Sequence, residues 1–287
     1  MEIRAYAKIN LLLAVGARRE DGYHEVESLM QSISLFDRLT LERTGSGKIQ
    51  LQCTRRYIPC DERNLAVRAA LAFYACTGIP CDGLRITLQK NIPVGAGLGG
   101  GSSDAAAALR ALNRLYNTGL DFSQLESIAS GLGADVAFCV RGGAMLARGI
   151  GEQLAPAPAL PNLPILLVKP AFPVPTPKAY AAFDAYPAQP VPDTGAMLNA
   201  LRGGSLRKIC ACLGNSLEAP VCRMHPQIQE IRNALLENGA QGALMSGAGS
   251  AVFAIFRSFS EARKVSGLLP KHYGRSFLCT PQPENPL

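Results

Sequence analysis

The chain has no tryptophan and only three histidines. His24, His225 and His272 lie far apart, so no two stand at metal-ligand spacing, and the pattern argues against a structural zinc site. No Cys-x-x-Cys pair occurs among the nine cysteines. The odd count, and the apolar or helical settings of Cys76, Cys139, Cys210 and Cys212, fit reduced thiols rather than a disulfide framework. No apolar run approaches the roughly 20 residues that a membrane-spanning helix needs. Met1-Glu2-Ile3-Arg4 lacks a basic export region and Leu11-Leu12-Leu13 is too short for a signal core, so a cytoplasmic location is expected. Charge is sparse as well, at 18% of residues, with a net +7. Arg18-Arg19, Arg55-Arg56 and Arg207-Lys208 are only pairs, with no stripe of interleaved aromatics. A nucleic-acid groove is therefore not expected, whereas a small anionic ligand suits the balance. With 48% hydrophobic residues over 287 positions, the chain can bury one large core or two medium ones.

What the chain has in abundance is glycine, and its placement is informative. Five glycines fall within Gly95 to Gly101, in the stretch Pro93-Val94-Gly95-Ala96-Gly97-Leu98-Gly99-Gly100-Gly101-Ser102-Ser103-Asp104. Leu84 to Leu88 alternates like a strand before it, and Ala105 to Leu115 reads as a helix after it. A glycine-rich loop that opens a helix presents free backbone N–H groups and the positive end of the helix dipole. That is a phosphate site. A side chain at Gly100 is expected to weaken nucleotide binding while leaving the fold intact.

Several phosphate loops can be set aside. No lysine follows the glycines at the P-loop position. Neither His-Arg-Asp nor Asp-Phe-Gly occurs, so the protein-kinase set is missing. Gly95-x-Gly97-x-x-Gly100 fits the dinucleotide pattern, but Asp121 follows a turn between two helical runs instead of ending a second strand.

The rest of the chain organises around this loop. Residues 3–15 read as a strand broken by Gly16, and Leu39 to Glu42 with Ile49 to Leu51 as a hairpin about Gly45-Ser46-Gly47. Asn64 to Tyr74 reads as a helix with Leu65, Ala69, Leu71 and Ala72 on its apolar face. Ser123-x-x-Glu126 has the form of a capping box for a short helix ending at Gly131. Gly142-Gly143 and Gly149-x-Gly151 frame a further strand. Prolines crowd Ala155 to Pro164 and Pro170 to Pro192, which places a domain boundary between 1–155 and 156–287. Pro226 to Leu236 reads as a helix, Leu244 to Phe256 as a glycine turn entering a buried strand, and Ser258-x-x-Glu261 as the cap of a last helix.

The stretch Pro93 to Ser103 resembles the ATP-binding signature of the GHMP small-molecule kinases. Ala7-Lys8-Ile9-Asn10-Leu11, Asp21-Gly22-Tyr23-His24, Leu132-Gly133-Ala134-Asp135-Val136, Gly149-Ile150-Gly151-Glu152, Pro175-Thr176-Pro177 and Ser246 to Ser250 follow the order seen in one branch of that family. The resemblance runs from about Ala7 to Phe256. It departs at Ala137, where a proline is usual, and at Ala248 and Ala251, where serine and threonine are frequent.

The resemblance implies an α+β fold of two domains: an N-terminal ATP domain like ribosomal protein S5 and a C-terminal ferredoxin-like domain. It implies ATP, as Mg-ATP, as cofactor. The implied reaction is phosphorylation of the 2-hydroxyl of 4-diphosphocytidyl-2-C-methyl-D-erythritol, in the non-mevalonate route to isoprenoid precursors. A homoserine- or mevalonate-type kinase is the alternative within the family, and a dinucleotide-binding protein the alternative outside it. The partner would be a small molecule bearing cytidine diphosphate, with neither nucleic acid nor membrane involved; the oligomeric state, monomer or weak dimer, is not given by the sequence.

Residue roles follow from chemistry and the resemblance together. Phosphoryl transfer depends on positioning and charge neutralisation. Asp135 is the candidate base for the acceptor hydroxyl and Lys8 its cationic partner, although a turn aspartate and a strand lysine would look the same in sequence. Pro93 to Ser103, with Lys90 and Asn64 toward adenosine, are the ATP candidates. Asn10 shares a strand face with Lys8 by period two and is a candidate for the polyol hydroxyls. Tyr23 and Tyr180 are candidates to sandwich the cytosine and His24 to read its edge, with Thr176 beside them. Ser102 and Ser103 carry hydroxyls a magnesium ion could use, but no second carboxylate stands out as its ligand.

Overall fold

Two long antiparallel strands, β1 (Glu2–Arg18) and β2 (His24–Arg43), form the backbone of the first lobe. Around them follow β3 (Ile49–Cys53), α1 (Leu65–Thr77), β4 (Leu84–Gln89), α2 (Gly100–Leu115), α3 (Phe122–Ser130), α4 (Ala134–Arg141), β5 (Ala144–Arg148) and β6 (Gln153–Pro156). The second part comprises β7 (Ile165–Lys169), α5 (Thr176–Asp184), α6 (Thr194–Arg202), α7 (Leu206–Ala211), β8 (Gly214–Asn215), α8 (Glu218–Met224), α9 (Gln227–Glu237), β9 (Gly242–Met245), β10 (Val252–Ile255), α10 (Phe259–Leu268) and β11 (Arg275–Cys279). This computed structural model describes residues 1–186 and 191–287. Pro187 and Pro190, part of the proline-rich stretch, lie outside the described residues.

The first sheet runs β3-β4-β2-β1-β8, with β5 joined to β2 and β6 to β5. Helices α1 to α4 cover it. The alanines of α2, Ala105 to Ala108 and Ala111, are fully buried, which lets α2 lie close to both α1 and the sheet. The second sheet has the order β11-β7-β10-β9, antiparallel throughout. Numbered within that sheet the order is 4-1-3-2, with helices between its first and second and its third and fourth strands, which is the ferredoxin-like arrangement. An apolar cluster that includes Ile9, Leu98, Leu167 and Phe253 joins the two sheets. The mixed α+β fold expected from the sequence is the one observed.

Four local expectations change. Gly16 does not break β1, which runs on to Arg18 through a register shift after Val15. The predicted hairpin is not one. β3 pairs in parallel with β4, and β4 lies between it and β2, because β2 already has β4 as its antiparallel neighbour over Arg38 to Arg43. Leu71 is 41% exposed; α1 buries Val67, Ala70 and Phe73 instead. The capping box of α3 is Asp121 with Gln124, two residues earlier than Ser123 with Glu126, and Glu126 is drawn away by an ion pair with Arg141 at 2.8 Å.

Candidate active site

Strand β4 delivers the chain to residues 93–99, and Gly99 turns it into α2 with a left-handed φ of 66°. The loop is held by its carbonyls. Gly95 O accepts from Val174 N (3.3 Å), Ala96 O from Ala251 N (3.2 Å), Leu98 O from Lys8 N (3.0 Å) and Gly99 O from Ser103 N (2.8 Å). Gly97 O accepts from Ser246 Oγ (3.0 Å) and Gly100 O from Lys90 Nζ (3.0 Å). Six successive carbonyls are thus occupied. Among the described residues, no N–H from Gly95 to Gly99 donates to a protein acceptor. The N–H groups of Gly100, Gly101 and Ser102 lie in the first turn of α2, where no intrahelical acceptor exists. The result is a run of free donors at a helix N-terminus, facing a cleft of about 720 Å³.

The glycines serve different ends. A Cβ on Gly97 would sit 1.9 Å from Ser246 O, and one on Gly95 would sit 2.6 Å from Pro173 Cβ. Gly99 admits the stem of Lys8, whose Cγ would lie 3.0 Å from a Cβ there. At Gly100 a Cβ would meet Ile92 Cγ2 at 2.9 Å and Lys90 Nζ at 3.1 Å. The expectation that a side chain at Gly100 leaves the fold intact is therefore corrected: that position is packed against the core as well as next to the cleft.

Beneath the loop, Lys90 lies in a buried ionic cluster. Its ammonium donates to Asp37 Oδ2 (2.5 Å), Asp104 Oδ2 (2.6 Å) and Gly100 O, which accounts for its three protons. Asp37 Oδ1 accepts from Asn91 N (2.5 Å) and Ile92 N (2.8 Å), so one carboxylate fixes the approach to the loop. Burial opposes the charge on Lys90, but Asp104 and Asp37 outweigh it and raise its pKa. Burial, with help from Asp37, pushes Asp104 up to about 8 against the pull of Lys90. Asp104 Oδ1 has no partner. Lys90 thus bears on the glycine loop through the backbone carbonyl of Gly100. Asn64 likewise lines the cleft while capping α1, accepting from Ala66 N and donating to Pro59 O.

Next to the loop, Lys8 is buried in β1 and its Nζ lies 3.5 Å from Asp135 Oδ2. Asp135 is in the first turn of α4, where the helix dipole favours a carboxylate, and its side chain is 41% exposed to the cleft. Lys8 Nζ donates to Asn10 Oδ1 (2.7 Å), Asn10 Nδ2 to Ser28 Oγ (2.7 Å), and Ser28 Oγ to Leu12 O (3.1 Å). This chain fixes the ammonium in the cleft wall. The period-two reading of β1 brought Lys8 and Asn10 together correctly.

Thr176 and Tyr180, on α5, line the same cleft. Burial, and secondarily the charge of Asp135, pushes the Tyr180 phenol up to about 12, so it stays protonated at neutral pH. His24 is buried against Tyr180, ring centroids 5.3 Å apart, and its Nε2 lies 2.8 Å from Asp184 Oδ1. Neither His24 nor Tyr23 lines the cleft, and Tyr23 is 61% exposed. Ser103 is turned away and donates to Tyr6 O (2.7 Å), which leaves Ser102 as the serine of that pair in the cleft. No three histidine, cysteine, aspartate or glutamate side chains converge among the described residues. Asp121 caps α3, so it is not the strand-end carboxylate that dinucleotide binding requires.

Sequence reasoning missed Asp37, Asp184 and Ser246. Asp37 and Asp184 carry no local signal, since each meets its partner across 53 and 160 residues. Ser246 stood in a noted glycine turn, but its partner Gly97 is 149 residues away.

Comparison with known proteins places this geometry. A model of the GHMP kinases N-terminal domain matches residues 64–143, and one of the GHMP kinases C-terminal domain matches 197–274. The chain is 45% identical to the 4-diphosphocytidyl-2-C-methyl-D-erythritol kinase of Moorella thermoacetica, over 95% of this chain and 96% of that one. A crystal structure of 4-(cytidine 5'-diphospho)-2C-methyl-D-erythritol kinase superposes with a TM-score of 0.82 at 42% identity, covering 98% of this chain and 99% of that one. A homoserine kinase from Cytophaga hutchinsonii superposes with a TM-score of 0.75 at 21% identity, over 99% of this chain and 95% of that one, and so shares the fold.

Proposed function

The chain belongs to the GHMP kinase family, and on that premise we propose that it transfers the γ-phosphoryl group of ATP to the 2-hydroxyl of 4-diphosphocytidyl-2-C-methyl-D-erythritol. It is an ATP-dependent small-molecule kinase. The observation that carries the proposal is the Lys8–Asp135 pair, 3.5 Å apart, lining the same cleft as the free N–H groups of the glycine loop.

The loop N–H groups and the α2 N-terminus take the phosphates. Asp135 accepts the proton of the attacking hydroxyl, and Lys8 balances the negative charge that gathers between nucleophile and phosphate. Asn10, tied to Lys8, orients the acceptor hydroxyls. Magnesium entering with ATP would neutralise phosphate charge, with Ser102 the hydroxyl in the cleft that could reach it. Residues 1–155 supply the phosphate loop and the base, and 156–287 supply Tyr180 and the loop at Ser246.

Base selection is assigned to Tyr180, which lines the cleft, with His24 and Asp184 behind it; His24 would meet the base only if Tyr180 moved aside. With Nε2 engaged by Asp184 Oδ1, Nδ1 is the ring nitrogen left for the base edge. An acceptor suits the exocyclic amine of cytosine and rejects the carbonyl of uracil. Tyr180 supplies a ring for the base to stack on. Tyr23, on the exposed turn before His24, would reach the base only by folding over it.

A coupled assay tests the reading. The enzyme is given ATP with the cytidyl substrate, its uncytidylated precursor, the uridyl analogue, homoserine or mevalonate. Turnover confined to the cytidyl compound is expected. Equal turnover with the uncytidylated precursor would reduce the assignment to a GHMP kinase of other acceptor class.

A further inference from the structure

The pair Gly142-Gly143 has no part in the chemistry above, yet both residues hold left-handed backbone, with φ of 71° and 69°. A Cβ on Gly142 would lie 2.7 Å from Asn285 Nδ2, and one on Gly143 would lie 3.0 Å from Glu284 Cγ. The glycines make room for residues 280–286, which leave the second sheet after β11 and return to the first lobe. Ser34 N donates to Thr280 O and Gln282 N to Ser32 O, both at 2.8 Å, and Gln31 Nε2 donates to Gln282 O at 3.0 Å.

The segment ends on the helix that carries Asp135. An α-helix leaves its last four carbonyls without intrahelical partners. In α4 these belong to Phe138, Cys139, Val140 and Arg141. Phe138 O accepts from Gly142 N. The other three accept from one residue: Asn285 Nδ2 donates to Cys139 O (3.0 Å) and more weakly to Val140 O (3.4 Å), and Asn285 N donates to Arg141 O (2.7 Å). Asn285 is itself buried. With only eight residues, α4 has little intrinsic stability, and its placement depends on such end contacts and on packing.

We propose that Asn285 is a positioning residue for Asp135: by seating the C-terminal end of α4, it fixes where the other end presents its carboxylate to Lys8. The inference rests on the reading of Asp135 as the base.

Three variants of the full chain test it: Asn285→Asp, Asn285→Ala and, as a distant control, Ser258→Ala, which removes the cap of α10. Asn285→Asp keeps the side-chain size, removes the Nδ2 donor and sets a negative charge at the negative end of the helix dipole. Turnover per molecule able to bind an ATP analogue should fall about tenfold in Asn285→Asp and less in Asn285→Ala. The KM values for ATP and acceptor should stay within about twofold, because the loop is untouched. Amides of Ala134 to Arg141 should exchange faster with solvent in both variants. Ser258→Ala should lower thermal stability without lowering turnover.

Unchanged turnover with faster α4 exchange, or a loss matched by Ser258→Ala, would overturn the inference and leave the tail a purely stabilising element. Asp135→Asn is measured beside them. If it is inactive and Asn285→Asp is fully active, positioning fails while the base stands. If Asp135→Asn is itself active, the base reading fails and positioning with it. Should Asn285→Asp not fold, Asn285→Ala carries the same comparison.

Discussion

Gly97→Ala gives the sharpest test of how the phosphate loop is built. The new Cβ would lie 1.9 Å from Ser246 O and 3.1 Å from Gly249 N, both backbone atoms that no rotamer change can move. To reach ordinary contact at 3.4 Å, the two loops must part by 3.4 − 1.9 = 1.5 Å. That opening stretches the 3.0 Å bond from Ser246 Oγ to Gly97 O and the 3.2 Å bond from Ala251 N to Ala96 O beyond useful length. Two lost bonds cost about 2 kcal/mol, at about 1 kcal/mol each. Holding alanine at the left-handed φ of 73° adds about 1–2 kcal/mol. The total of about 3–4 kcal/mol should lower the melting temperature by roughly 6–15 °C for a chain of this size. It should also raise the KM for ATP, because freed carbonyls allow the N–H groups to turn away. Gly101→Ala is the matched control: its Cβ has only Leu65 Cδ1 nearby, at 3.6 Å, and its φ is ordinary. Inside a helix that change should leave the ligand-free melting temperature the same or raise it. Differential scanning calorimetry with and without an ATP analogue, beside steady-state kinetics, reads both quantities. A Gly97→Ala protein with wild-type stability and wild-type KM would refute the close contact between the two loops.

Asp135→Asn should cut turnover by roughly 10²–10⁴ with substrate affinity nearly kept, measured by single-turnover kinetics and equilibrium binding. Lys8→Ala should cost a similar amount, and the double variant little more than either, since the two act as a unit; additive losses would separate them. Tyr180→Ala should weaken acceptor binding by about 1–3 kcal/mol in calorimetric titration and leave ATP binding unchanged, by analogy with aromatic platforms for single-stranded bases. The pH dependence of stability should carry the mark of Asp104. Its folded pKa stands near 8, far above the ordinary carboxylate value, so between about pH 4 and about pH 8 the native state binds more protons than the unfolded chain. Asp104 therefore makes stability fall as pH rises through that window. Asp104→Asn should flatten this part of the profile in denaturant titrations, and an unchanged slope would contradict the assignment.

How far the sequence reaches differs between the elements and the contacts that join them. Features with a local cause were readable: the helix after the glycine loop, the cap at Ser258, and the shared face of Lys8 and Asn10 each follow from spacing within a few residues. The false hairpin at Gly45-Ser46-Gly47 shows the limit. Two apolar runs about a glycine turn have the right local chemistry, but pairing is decided by which strand competes for β2, and β4 wins along Arg38 to Arg43. The capping box fails for a related reason. Asp121 and Ser123 both offer a cap two residues apart, and the ion pair of Glu126 with Arg141 removes the second.

The glycine loop combines both cases. That it would present free N–H groups is legible because donors at a helix start are a local property. Why each glycine is needed is not legible, because the neighbours come from elsewhere: Ser246 for Gly97, Pro173 for Gly95, Lys8 for Gly99, and Ile92 with Lys90 for Gly100. From sequence alone all these glycines seem to make room for phosphate. In the structure these four make room for protein, and that packing turns six carbonyls inward and leaves the N–H groups free. On the proposed reading, the donors offered to phosphate are held in place largely by residues that need never touch the nucleotide. Substitutions at Ser246 or Asp37 should consequently change the KM for ATP as surely as changes in the loop itself.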